Sequence, residues 1–135
     1  MTTALTDLEV RKAAQALRQC WVLGNEYLQE AAPWTAIKTD PDRAAIIVRT
    51  ALALVGLYAR LSRPFIPFAA GTIAAAVGEG DRLDRWPDAA DVGALLAGFG
   101  AGRGIRTPEV LFRKIEDAQL AEWSERFGGT PADAD

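Results

Sequence analysis

The chain has no histidine and a single cysteine among 135 residues. Without histidine it lacks the commonest general base and the commonest metal ligand. One cysteine, Cys20, cannot form a disulfide within a monomer or build a thiolate zinc site. It falls in an apolar helical pattern and reads as a small buried hydrophobe. No carboxylate cluster has helix-face spacing suited to another metal. The glycines of residues 98–104 are not followed by Gly-Lys-Ser/Thr, so there is no phosphate loop. Catalysis within this chain is not expected, and neither is a bound cofactor or metal.

Excess positive charge is also missing, the net charge being −3. That balance argues against a sequence-indifferent coat on DNA or RNA, though a small local patch reading an exposed loop is compatible with it. Met1 is followed by polar residues and not by a basic and then apolar run, so no secretory signal opens the sequence. The longest apolar stretches, residues 44–58 and 64–77, are interrupted by Arg49 or by Pro67 and Gly71. Neither reaches the roughly 20 clean residues of a bilayer span. The expectation is a cytoplasmic, soluble protein.

Alanine is abundant and β-branched residues are few outside two short runs, so the chain should be all-α. Thr6-Asp7-Leu8-Glu9 has the form of a capping box, a hydroxyl at the cap and a carboxylate three residues on. Val10, Ala13, Ala14, Leu17, Cys20, Trp21, Gly24, Leu28 and Ala31 then repeat with helical period, which predicts one long amphipathic helix. Pro33 ends it, because the residue before a proline is pushed out of the α region. Asp40 followed by Pro41 is a second start signal. The helix that follows, residues 43–61, is apolar around most of its circumference and should be the most buried element.

Pro64-Phe65-Ile66-Pro67-Phe68 reads as a corner, with a third helix over residues 67–77 that Glu79-Gly80-Asp81 ends. Residues 82–88 look like loop, and residues 88–96 like a short fourth helix. The glycine-rich stretch 98–104 suggests a flexible segment or a tight turn. Residues 107–116 read as extended, and Glu116 or Asp117 should lead a last amphipathic helix near 118–126. The expected architecture is a bundle of three to four helices over residues 1–97, then an extended segment and C-terminal helix packing back over 98–127. Residues 128–135 should form a disordered tail.

Asn25-Glu26-Tyr27-Leu28-Gln29-Glu30-Ala31-Ala32-Pro33-Trp34-Thr35-Ala36-Ile37-Lys38 runs off the end of the first long helix. It places Trp34 and Lys38 one helical turn apart. An indole offers a flat face on which an unpaired base can stack, and an ammonium can hold a phosphate. By pattern alone, however, Trp34 reads first as a packed corner tryptophan closing the helix junction, and Lys38 as a solvated surface charge. Trp21 lies on the apolar stripe and reads as core; Trp86 and Trp123 read as docking onto the bundle. Arg11, Lys12 and Arg18 suit a solvent face, while Arg60, Arg63 and Arg103 are candidates for a phosphate backbone. Leu111, Phe112 and Ile115 read as apolar anchors.

The ordered set Asn25-Glu26-Tyr27, Ala32-Pro33-Trp34, Lys38, Arg63-Pro64-Phe65-Ile66-Pro67 and Leu111-Phe112-Arg113-Lys114-Ile115-Glu116 resembles the C-terminal anticodon-binding helical domain of methionyl-tRNA synthetases. The resemblance covers most of residues 8–126. It implies binding of the CAU anticodon of methionine tRNAs, in support of aminoacylation for translation. Trp34 matches the tryptophan that stacks on an anticodon base. Lys38 matches a lysine close to the bound loop, and Asn25 an asparagine that orients the surrounding structure. The family's Rossmann domain with its adenylate-forming motifs, where ATP would bind, has no counterpart in this sequence. The same holds for the zinc-bearing insertion and for a preceding bundle helix that helps to read the anticodon. The chain thus resembles a truncated or separately encoded piece, inactive as a ligase alone, with a catalytic synthetase domain as a further expected partner. A second reading is a non-catalytic interaction module that docks on a catalytic subunit, or self-associates, through an incomplete bundle face.

Overall fold

Two 22-residue helices carry the fold, and each owes its bounds to a different local signal. The computed structural model describes residues 1–88, 92–94, 98–99 and 102–128. In order, these contain α1 (Thr2–Thr6), α2 (Val10–Ala31), α3 (Pro33–Ala36), α4 (Pro41–Ser62), α5 (Pro67–Ala76), a 3₁₀ turn (Gly80–Arg82) and α6 (Asp117–Phe127). No strand occurs among the described residues, so the chain is all-α as its composition predicts. The expected fourth helix at 88–96 falls largely on residues 89–91 and 95–96, outside the described residues. The expected tail, 128–135, lies outside them from residue 129 onward.

The capping box at Thr6 does not form. Thr6 is the last residue of α1, and its hydroxyl donates to the Thr2 carbonyl. Leu8 takes a positive φ of 59°, and Glu9 caps α2 without a side-chain bond to its first turn. The hydroxyl is satisfied within its own short helix, which removes it from the next one. Asp40 behaves as predicted: its Oδ1 accepts from the Arg43 backbone N–H at 3.0 Å, and Pro41 occupies the first turn of α4.

Helix α2 buries Ala13 and Leu17 and lays Trp21 and Gly24 against the C-terminal half of α4. Trp21 and Tyr58 meet with ring centroids 5.1 Å apart at 57°. The indole Nε1 of Trp21 donates to the Oγ of fully buried Ser62 at 3.1 Å. Helix α4 receives α2, α3 and α5. Its buried residues run from Ala44 and Ile47 to Ala53 and then nearly continuously from Gly56 to Ser62. Its N-terminal half leaves Ile46 and Val48 exposed, so the burial expected of the whole helix holds mainly for its second half. By length and composition alone α4 is long and apolar enough to cross a membrane, so the interruption at Arg49 does not exclude that. In the bundle it is the central packing element.

After α5, Gly78 turns at φ 71° and Glu79 goes inward. Trp86 ties the following loop to the N-terminus, its Nε1 donating to Thr2 Oγ1 at 3.1 Å. The downstream segment returns across the bundle. Phe99 is buried with Leu57, Tyr58 and Val77, and the Arg106 N–H donates to the Ala76 carbonyl at 2.8 Å. Residues 104–110 then run without helix or strand. Glu116 and Gln119 form the capping box that opens α6. This helix buries no residue, and Leu120, Trp123 and Phe127 are exposed. Leu111 is half-buried, while Phe112 and Ile115 are exposed.

Candidate nucleic-acid interface

One residue, Ala32, joins α2 to α3. It closes α2, its N–H donating to the Leu28 carbonyl at 3.0 Å. It also opens α3, its carbonyl accepting from the N–H groups of Thr35 (2.9 Å) and Ala36 (3.0 Å). To serve both helices it adopts a left-handed conformation, φ 42° and ψ 62°. Pro33 follows with its φ fixed by the ring, in the helix position where a missing N–H costs nothing. The sequence signal, a proline after alanines, placed the break correctly but carried no trace of the left-handed residue before it.

The junction continues as a chain of short-range bonds: Ile37 to Pro33, Lys38 to Thr35, and Asp40 to Ala36 at 2.7 Å, the last leading into the Asp40 cap of α4. Helix α3 packs on α4. Backbone bonds and packing therefore fix a corner only nine residues long between the two main helices.

Trp34 sits on this corner as the second residue of α3 and is 53% exposed. It is not the packed tryptophan that a helix junction could have used; that role falls to Trp21. Ile37 beside it is exposed too. Lys38 lies on the same corner with its side chain exposed. Asn25 is exposed on α2, six residues before the helix ends, which is about 9 Å of helix rise. The structure therefore puts Trp34 and Lys38 on one short exposed segment and Asn25 on the helix leading into it. An exposed indole held by a rigid backbone has the chemistry of a stacking platform, and a flexible ammonium beside it that of a phosphate contact.

The three arginines considered for a phosphate backbone each have a partner within the chain instead. Arg60 is buried and donates from Nε to the Arg85 carbonyl at 2.9 Å. Arg63 pairs with Asp84, and Arg103 with Glu79. Only the Arg103 partner, Glu79, is a buried carboxylate, while Asp84 is exposed, and a one-dimensional reading cannot see partners 21 to 25 residues away.

Comparison with known proteins bears on the family of the chain. Residues 1–132 match the family described as the anticodon binding domain of methionyl tRNA ligase. A methionine–tRNA ligase of Caulobacter sp. (strain K31) is 61% identical over 132 residues, which is 96% of this chain and 22% of that protein. One from Caulobacter vibrioides is 64% identical over 122 residues, 90% of this chain and 21% of the relative. One from Cereibacter sphaeroides is 54% identical over 127 residues, 94% and 22% respectively. The chain spans about a fifth of the length of these relatives. No solved structure matches it. On the match over residues 1–132, the chain belongs to the family of anticodon-binding domains of methionyl-tRNA ligases.

Proposed function

We propose that this chain binds the CAU anticodon loop of methionine tRNAs, as the C-terminal anticodon-binding part of a methionine–tRNA ligase. The observation that carries the reading is Trp34: a large aromatic left more than half exposed on a corner held by backbone hydrogen bonds on both sides of it. Trp34 stacks on an unpaired anticodon base, Lys38 neutralises a phosphate of the loop, and Asn25 orients the end of α2. Methionyl-adenylate formation from ATP and transfer to tRNA belong to the part of such a ligase that this chain does not span, in the cytoplasm. The chain itself contributes recognition and no chemistry.

A base stacked on an aromatic contributes about 1–3 kcal/mol, so one tryptophan gives modest affinity. The test is a titration of the chain with a fluorescent CAU anticodon stem-loop at fixed salt, beside a loop with one base changed and a Trp34→Ala variant. Saturable binding that prefers CAU and collapses in the variant supports the reading. Equal, salt-sensitive binding to both loops, or none, removes it.

A second reading rests on its own observation. Val110, Phe112, Ile115, Leu120, Trp123 and Phe127 are all exposed along the extended segment and α6. Such a run suits docking onto a protein surface, a catalytic synthetase domain or a second copy of this chain. Sedimentation across a concentration series distinguishes the two: a lone monomer leaves self-association without support.

A further inference from the structure

The left-handed residue at the foot of the tryptophan corner does more than join two helices. Left-handed backbone is unfavourable for an alanine, whose Cβ crowds the following carbonyl. Strain of that kind persists only where the surroundings over-determine it, and it concentrates at functional sites. Here it is held by hydrogen bonds from both sides, Ala32 N–H to Leu28 and Ala32 C=O to Thr35 and Ala36, and by α3 packing on α4. Two residues later stands the exposed indole. The direction of Trp34 relative to α2 is set by two dihedral pairs, those of Ala32 and Pro33, and Pro33 has its φ already fixed.

We infer that Ala32 is a positioning residue for Trp34: its strained, narrow left-handed well pre-aims the indole for an incoming base, so the loop need not order the corner when it binds. The inference rests on the anticodon reading for its binding consequence, but not for its structural one. A glycine at this position adopts the same φ without penalty and also opens the rest of the left-handed half of the map. Ala32→Gly therefore removes strain while loosening the aim. If the loosened corner holds the indole aimed about a quarter of the time, the apparent Kd rises about four-fold. Asparagine tolerates left-handed backbone while keeping a Cβ that limits the well, so Ala32→Asn retains the aim.

The experiment measures three quantities on the full chain. They are the thermal midpoint, Kd for the CAU stem-loop, and hydrogen-exchange rates of the Thr35 and Ala36 amides that bond to Ala32. The expected pattern for Ala32→Gly is an unchanged or raised midpoint, weaker loop binding and faster exchange at both amides, with Ala32→Asn restoring binding and exchange towards wild type. A purely structural role would move midpoint and affinity together, so a lowered midpoint with weaker binding overturns the inference. Loop binding equal to wild type in Ala32→Gly overturns it as well. If the wild-type chain binds no loop, the anticodon reading fails on its own; unchanged amide exchange in Ala32→Gly would then sink the positioning role independently.

Discussion

Arg103 donates from Nη1 to Oε1 of Glu79, a carboxylate that is 1% exposed. The pair spans 24 residues of sequence and joins the turn after α5 to the returning segment. Gly56 on α4 makes room for it, since a Cβ there would sit 2.9 Å from Glu79 Cγ. The guanidinium lies over the buried Phe99 ring, 4.5 Å from its centroid. Glu79 Oε2 has no hydrogen-bond partner among the described residues, with Arg82 Nη1 at 3.6 Å. The pair pins Phe99 and the start of the return segment to the core, and the segment then leads out to α6.

Removing one partner of a buried pair strands the other, at a typical cost of about 3–5 kcal/mol. Arg103 retains some solvent access, so Glu79→Gln should cost towards the low end, about 3 kcal/mol. Arg103→Met, which keeps the stem over Phe99 but leaves the carboxylate buried, should cost more. The double variant should recover a large part of the summed loss. Urea denaturation of the four proteins measures this, and strict additivity would show that the two side chains do not act as a pair.

Gly24→Ala and Gly71→Ala should move stability in opposite directions. A Cβ at Gly24 would come within 2.7 Å of the buried Tyr58 ring, whereas at Gly71 the nearest atom, Leu83 Cδ2, is 3.7 Å away. Overpacking a core costs about 1–3 kcal/mol, and alanine gains about 1 kcal/mol over glycine within a helix. The first change is a net loss of roughly 1 kcal/mol, and the second a gain of up to that size. Thermal melts decide it; a stabilised Gly24→Ala would mean that Tyr58 can swing away from α2.

The parts of this fold legible in the sequence were those fixed within a few residues. Asp40-Pro41 announced a helix start, Pro33 a break, and the repeat through Ala13, Leu17 and Trp21 an α2 face that does pack on α4. The Thr6 box was equally regular and did not form, because Thr6 had a nearer acceptor in Thr2 and the chain turned left-handed at Leu8. Glu79, read as a helix end, proved a buried charge, since its partner is set by tertiary packing and not by spacing. Trp34 and Lys38 were singled out from pattern and resemblance; that Trp34 is exposed while Trp21 is packed follows from which face of each helix meets α4.

Tyr58 makes stability depend on alkaline pH. Burial, and secondarily the neighbouring Cys20 thiolate, push its phenol above the ordinary 10.0. In the unfolded chain the phenol ionises near 10.0, while in the folded protein it stays neutral to higher pH. The folded state therefore keeps its full stability below 10.0 and loses it as pH rises through and beyond that value. Tyr58→Phe removes the titration, so unfolding midpoints above and below pH 10.0 should differ less in the variant than in wild type. An equal difference in both proteins would assign the alkaline loss to other groups.

Trp34 and Lys38 should leave different signatures on loop binding, because one acts through a π-face and the other through charge. Trp34 is 53% exposed, so Trp34→Ala should cost under about 1 kcal/mol of folding stability while removing about 1–3 kcal/mol of loop affinity. The dependence of log K on log salt should be unchanged, since no cation is lost. Lys38→Gln should do the reverse. It should weaken the CAU loop and a one-base-changed loop by the same factor, and lower the salt slope by about 0.7, the contribution of one phosphate contact on a single strand. Titrations at three salt concentrations separate the two effects. A Trp34→Ala variant whose slope falls, or a Lys38→Gln variant that loses preference for CAU, would show that these side chains do not divide stacking and charge between them.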